Sequence, residues 1–258
     1  MIDLHCHVLF GIDDGPADFR ASLALARRAR EEGIEAIAAT PHVDSKYQLT
    51  GEALDALPRL RHELEARLLE EGVNLSLVGG AEVAMTRIGA LEPEQLRSLC
   101  LGGGDVLLVE SPYSTAVTFV DQLMFDLQAA GLRPLLAHPE RCPSFQRDPE
   151  QLAKLVHSGC LCSLSAGSIA GDFGRSVRSF ALTLLAEGLV HDISTDAHDD
   201  RRRPPALRGP IEASAKDLPG LADAGDYFLR EAPGAMLAGD PVPAPPALAR
   251  RRRLFARR

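Results

Sequence analysis

No apolar run in the 258-residue chain approaches the roughly 18 residues that a membrane-spanning helix requires, which excludes an integral helical membrane protein. The opening Met-Ile-Asp-Leu-His-Cys-His has neither a basic leader nor a long apolar stretch, so no secretory signal is expected. Cysteine is scarce and odd in number: five residues, with Cys160 and Cys162 the one close pair. That pattern offers neither a disulfide framework nor a paired C-x-x-C zinc site, and a reducing, cytoplasmic compartment fits it. Each thiol is expected to be buried and inert. A C-x5-R phosphatase signature is also missing, because the residues six beyond the cysteines are Ile12, Val106, Asp148, Ala166 and Ser168. No G-x-x-x-x-G-K-[ST] occurs, so a nucleotide-binding P-loop is excluded, and Gly102–Gly104 reads as a turn.

The chain is 45% apolar and 25% charged, as expected of a globular protein with a substantial core. Its formal charge is −8, yet six arginines (Arg250, Arg251, Arg252, Arg253, Arg257, Arg258) crowd the last nine residues. Without those six positive charges the remainder stands at −14, too acidic to bind nucleic acid through its bulk surface. The arginine-rich end reads most simply as a solvated or frayed tail, and the sharper reading is a peripheral contact with anionic phospholipid or a membrane-associated partner.

Seven short apolar runs read as buried parallel strands: Ile2–Leu4, Ala36–Ala39, Leu75–Val78, Asp105–Val109, Pro134–Ala137, Cys160–Leu164 and His191–Ser194. Helical patterns alternate with them at Asp18–Glu32, Glu52–Glu71, Pro93–Leu99, Thr118–Ala130, Pro149–Ser158 and Phe173–Glu187. Several stop at a glycine (Gly33, Gly72, Gly131, Gly159, Gly188), the usual C-cap residue. Seven strands in regular alternation with helices predict one α/β domain, a barrel, over residues 1–240. Beyond Asp199 the pattern weakens: Arg201–Pro205 is a loop, and Leu207–Lys216 and Leu221–Glu231 are candidate helices. Residues 241–258 form a Pro/Ala linker and the arginine tail.

Histidines and carboxylates recur just after these strands. His5 and His7 follow the first, with Asp13 and Asp14 in the loop beyond; His42 follows the second and Glu82 the third. Glu110 closes the fourth, His138 follows the fifth, and Asp196 and His198 follow the seventh. Parallel strands bring their C-terminal ends to one rim, where active sites form. An H-x-H on a strand turns both imidazoles to one side, a pair able to grip a metal. His62, His157 and His191 lack that placement and read as structural. Cys6, between the two leading histidines, should face away from them.

The stretches MIDLHCHVLFGIDDGP, ATPH, GGAEV, LLVE, AHPER and STDAHDDRRRPP resemble the polymerase and histidinol phosphatase (PHP) superfamily. The similarity is strongest to its branch of manganese-dependent bacterial protein-tyrosine phosphatases of capsular and extracellular polysaccharide synthesis, and it spans about four fifths of the chain, Met1 to about Pro205. The resemblance implies a distorted (β/α)7 barrel holding three divalent metals, manganese by family, although mixed donors also accept iron or zinc. By motif, the ligands would be His5, His7, Asp14, His42, Glu82, Glu110, His138, Asp196 and His198, with Asp13 an alternative to Asp14 and Glu110 bridging. Arg141 and Arg203 would bind phosphate, with Arg201 and Arg202 rivals for the second role. A metal-bound hydroxide would attack phosphorus. The substrate implied is a tyrosine-phosphorylated autokinase. A small-molecule phosphatase of the histidinol phosphate type and a non-catalytic metal-binding regulator are the alternatives. Helix Asp18–Glu32 resembles a family segment of subunit contacts, but an ordinary amphipathic helix accounts for it equally, so the oligomeric state stays open.

Overall fold

A computed structural model describes residues 1–47, 51–113 and 119–248. Nine strands run in the order β1 (Ile2–Cys6), β2 (Ala36–Ala39), β3 (His42–Val43), β4 (Ser76–Gly79), β5 (Glu82–Ala84), β6 (Val106–Glu110), β7 (Arg133–Ala137), β8 (Leu161–Ser165) and β9 (Asp192–Ser194). Every pairing is parallel. They form a three-stranded sheet, β1-β2-β4, and a six-stranded sheet, β3-β5-β6-β7-β8-β9. The fold is therefore α/β with parallel sheets, and among the described residues no single sheet closes on itself.

All seven expected strands occur, and the two extra ones arise where the chain breaks. Thr40 and Pro41 separate β2 from β3, and proline has no N–H to continue a ladder. Gly80 and Ala81 separate β4 from β5, where the chain passes so close to Leu101 that a Cβ on Gly80 would stand 2.7 Å from its Cδ2. Single backbone bonds span the discontinuities: Thr40 N–H donates to Cys6 O (3.0 Å) and Glu82 N–H to Pro41 O (3.0 Å). On the other flank, Asp196 N–H donates to His5 O (2.8 Å) and His7 N–H to Ala197 O (2.9 Å), which brings β1 beside the chain after β9.

Burial explains why the strands lack polar alternation. Val106, Leu107, Leu108 and Val109 are each fully buried, so both faces of β6 are covered. Each such side chain contributes about 1.5–3 kcal/mol on leaving water. The helix Phe19–Glu32 starts where Asp18 accepts the Ala21 N–H (2.9 Å) and stops at Gly33, whose φ of +94° suits glycine alone among common residues.

The C-terminal part departs from expectation. In place of one helix over Leu221–Glu231, turns lead to a wide π-type turn, Tyr227–Glu231, that runs into the helix Ala232–Ala238. Pro233 cannot donate the bond that an α-helix would draw from its position, and the wider turn absorbs that loss. The helix expected from Phe173 begins at Arg175, after Gly174 at φ +94°. Thr118 and the arginine tail from residue 249 onward lie outside the described residues.

Candidate metal centre

The strand ends meet as the spacing predicted. His5 and His7 leave β1 on the same side, their Nε2 atoms 3.3 Å apart, while Cys6 points the other way, its thiol 3.7 Å from Ala197 O. Around them stand His42, Glu82, Glu110, His138, Asp196 and His198, with Asp14 from the loop after β1. Donor atoms lie within 4.8 Å of one another in four overlapping groups: His7, Asp14, His42 and His198; His5, His7 and Asp196; His5, Glu82 and His138; His42, Glu82 and Glu110. All nine expected ligands belong to at least one group. His62, His157 and His191 belong to none.

Glu82 is the hub. Its Oε2 lies 3.3 Å from His5 Nε2, 3.5 Å from His7 Nε2 and 2.8 Å from His42 Nδ1, and its Oε1 lies 2.8 Å from His138 Nε2. Asp13 and Asp14 divide their work. The buried Asp13 receives His7 Nδ1 (2.7 Å), His42 N–H (3.0 Å) and Gly15 N–H (2.9 Å), so its oxygens are committed to holding two histidines and the loop. The half-exposed Asp14 places Oδ1 3.3 Å from His42 Nε2 and 3.4 Å from His198 Nε2, free to meet a cation.

Three buried donor atoms in this cluster, His42 Nδ1, Glu82 Oε2 and His198 Nε2, lack an aligned hydrogen bond, although His42 Nδ1 and Glu82 Oε2 are only 2.8 Å apart. Such orphaned atoms are costly unless something else fills their lone pairs. Titration behaviour agrees. Burial, with Glu82 beside it, pushes Glu110 up to about 8. Burial lowers His138 to about 4, helped by Arg141, and lowers His198 to about 3, helped by His7. His7 moves the other way, because the bonds from Asp13, Asp196 and Glu82 outweigh its burial. A carboxylate too crowded to ionise and imidazoles held neutral are donors short of a cation. Divalent metals fit this set.

Two candidate ligands sit on strained backbone. His138 (φ +32°) and Asp196 (φ +52°) are the non-glycine residues with positive φ among those described. Each turns sharply off the end of a strand, and the strain of such a position is held by surrounding bonds.

Arg141 and Arg203 converge on one atom, Asp196 Oδ2, from 2.6 and 2.5 Å. Asp199 Oδ1 accepts the N–H groups of Arg201 (2.7 Å) and Arg202 (2.5 Å), and the turn sends Arg203 inward while Arg201 and Arg202 stay exposed. The cleft above holds about 300 Å³ and is lined by six of the nine expected ligands and both arginines. Lys46, Tyr47 and Tyr113 complete its mouth. Tyr113, and Phe173 with its guanidinium contact at 4.4 Å, flank Arg141; neither aromatic carries a motif, and only a position in a loop after a strand could have marked them. A roomier cavity of about 600 Å³ opens between the helix Glu52–Glu70 and β4, and it contains no expected ligand.

Parallel strands that deliver histidines and carboxylates to one rim define a class, the metal-gathering α/β proteins. The chain belongs to the family described as capsular polysaccharide synthesis, CpsB/CapC, which it matches over residues 1–230. It is 34% identical over 205 residues to the tyrosine-protein phosphatase YwqE of Bacillus subtilis (79% of each chain). It is 31% identical over 212 residues to the Staphylococcus aureus putative tyrosine-protein phosphatase CapC (81% of each). Its fold superimposes with a TM-score of 0.85 at 30% identity, over 97% of this chain and 100% of the other, on a structure from work on YwqE of B. subtilis and CpsB of Streptococcus pneumoniae, called unique metal-dependent tyrosine phosphatases.

Proposed function

We propose that this protein is a metal-dependent protein-tyrosine phosphatase. The observation that carries the reading is the meeting of nine nitrogen and oxygen donor residues in overlapping groups, six of them lining one cleft together with two arginines. In this reading His5, His7, Asp14, His42, Glu82, Glu110, His138, Asp196 and His198 would hold three divalent ions; manganese would be the native metal, and iron or zinc would suit the same donors. When bound, such ions lower the pKa of water and draw electron density from a phosphoryl oxygen.

The chain's own residues supply the remainder. Arg141 and Arg203 grip the non-bridging phosphate oxygens, with guanidinium forks suited to that geometry. Asp196 Oδ2 pre-aligns both forks before substrate arrives. Asp13 orients the His7 ring through Nδ1, so that Nε2 faces His5, Glu82 and Asp196. Tyr113 offers an apolar wall for a phenyl ring. A phenol leaves with its electron pair more readily than an alcohol, because its pKa is about 10.

The two sheets are then arcs of one interrupted (β/α)7 barrel, a reading supported by the two backbone bonds that join β1 to the chain after β9, Asp196 N–H to His5 O and His7 N–H to Ala197 O. Residues 1–240 would form one phosphatase domain. The substrate would be a tyrosine-phosphorylated autokinase of capsule synthesis, met in the cytoplasm, with the arginine tail touching anionic lipid. No helix among the described residues is long and apolar enough to cross a membrane.

Turnover of a phosphotyrosyl peptide and of histidinol phosphate, with and without manganese, tests the reading. Manganese-dependent preference for the peptide is expected. Preference for the alkyl ester would replace it with the small-molecule phosphatase, and hydrolysis of neither by metal-loaded protein would favour a regulator.

A further inference from the structure

A second pocket of about 180 Å³ adjoins the cleft and shares Asp196 and Arg203 with it. Its apolar walls come from Phe173 in the loop beyond β8, Pro204 and Ala206 in the loop beyond β9, and Pro210 in the helix Arg208–Ser214 that follows. Those four side chains are apolar and none is fully buried. The charged lining is balanced in sign: Asp172 and Arg202 are exposed at the rim, and Asp196 and Arg203 are paired with each other on the side shared with the cleft.

Phe173 is one of only five large apolar side chains that stay exposed among the described residues, and Tyr113 is another. Both flank Arg141, at 4.4 and 5.6 Å from its guanidinium. An apolar surface kept open beside a polar reaction site, on loops carried by a rigid scaffold, is where substrate selection resides. A group in this pocket would lie across Arg203 from a phosphate in the cleft. An occupant tethered to the phosphotyrosine, in the same polypeptide, reaches both at once.

We propose that this pocket is a specificity subsite that receives the apolar side chain of a residue flanking the phosphotyrosine. The inference rests on the phosphatase reading and adds a preference to it. The volume suits a leucine-sized side chain. A hydrophobic pocket of this kind discriminates by about 10-fold or more in kcat/KM.

The test uses the full, manganese-loaded protein and synthetic phosphotyrosyl peptides carrying Leu, Gly, Asp or Lys on either side of the phosphotyrosine. Expected is an approximately 10-fold preference for Leu over Gly at one flanking position. Ala206→Phe should abolish that preference by filling the pocket, and Ala206→Asp should turn it towards Lys. Each readout is a ratio between peptides on one preparation, so a general loss of activity cancels. Equal turnover across the panel, or an undiminished Leu preference in Ala206→Phe, would overturn the subsite while leaving the phosphatase intact. No turnover of any phosphotyrosyl peptide would overturn the phosphatase reading and the subsite with it.

Discussion

Asp13 holds His7: its Oδ2 lies 2.7 Å from Nδ1 of the imidazole and also accepts the backbone N–H of His42 at 3.0 Å. One buried carboxylate thereby orients two of the expected ligands. Burial alone would raise its pKa, but the bond from His7 outweighs that and holds it at about 2. The group stays ionised throughout the working range and cannot release its histidine by taking a proton.

Asp13→Ala should accordingly weaken metal binding by about 10–100-fold, the usual effect of losing a partner that orients a ligand. Competition with a chelator of known affinity measures it. Asp14→Ala should also cost affinity, but through a lost ligand atom, so adding metal should restore the activity of Asp13→Ala more fully. Equal rescue of the two would contradict the division of labour between them.

The convergence of Arg141 and Arg203 on Asp196 makes a second prediction. Removing an electrostatic donor to a transition state commonly costs about 10²–10³ in rate, so Arg141→Ala should lower kcat/KM on an aryl phosphate by that order while bound metal is unchanged. Arg203→Lys should lose less than Arg203→Ala, because charge survives and the fork does not. Metal analysis of the same preparations separates phosphate binding from collapse of the centre, since Asp196 also faces His5, His7 and His198. A fall in metal content that tracked the fall in rate would reassign the arginines to a structural role.

The cysteines make a negative prediction. All five are buried, and burial raises the thiol pKa of Cys100 and Cys160 to about 11 and those of Cys6 and Cys162 well above the ordinary value. Thiolate nucleophiles require the opposite environment. Iodoacetamide should leave the native protein unmodified by mass and fully active, whereas a strong chelator should remove activity and manganese restore it. Inactivation by alkylation of a single cysteine in folded protein would refute a thiol-independent mechanism.

Much of this centre was legible because its chemistry follows period-two spacing and strand ends. His5-x-His7 could only face one way, and the apolar runs that located β6 and β7 also located Glu110 and His138. What escaped was non-local. The strand patterns did not reveal that pairing passes from β2–β4 to β3–β5, at a point where the chain at Gly80 lies against Leu101 from a separate segment. Asp13 and Asp14 could not be told apart by spacing, because a turn decides which one reaches His42 Nε2. Arg203 is set apart from Arg201 and Arg202 only by the fold, in which its guanidinium reaches Asp196 Oδ2 while the other two stay exposed. Loop aromatics such as Tyr113 and Phe173 carry no pattern, and only the folded neighbourhood of Arg141 gives them a role.

Below the centre lies a carboxylate that the reaction does not use. Asp192 is fully buried, accepts the hydroxyls of Ser163 and Ser194 at 2.5 Å each through Oδ2, and leaves Oδ1 without a partner. Burial raises its pKa from 3.8 to about 7, against the lowering effect of the two serines. The folded state thus binds this proton more tightly than the unfolded chain does. Its contribution to stability is full below pH 3.8 and is lost as the pH rises towards 7. At about 1.4 kcal/mol per pKa unit, that span corresponds to a loss on the order of 4 kcal/mol by pH 8. Asp192→Asn keeps an acceptor for the serines and has no charge to bury. In metal-free protein it should unfold at a higher temperature than the parent at pH 8, and the difference should vanish or reverse near pH 4. Parallel melting-temperature curves for the two proteins between pH 4 and 8 would show that Asp192 does not hold this proton.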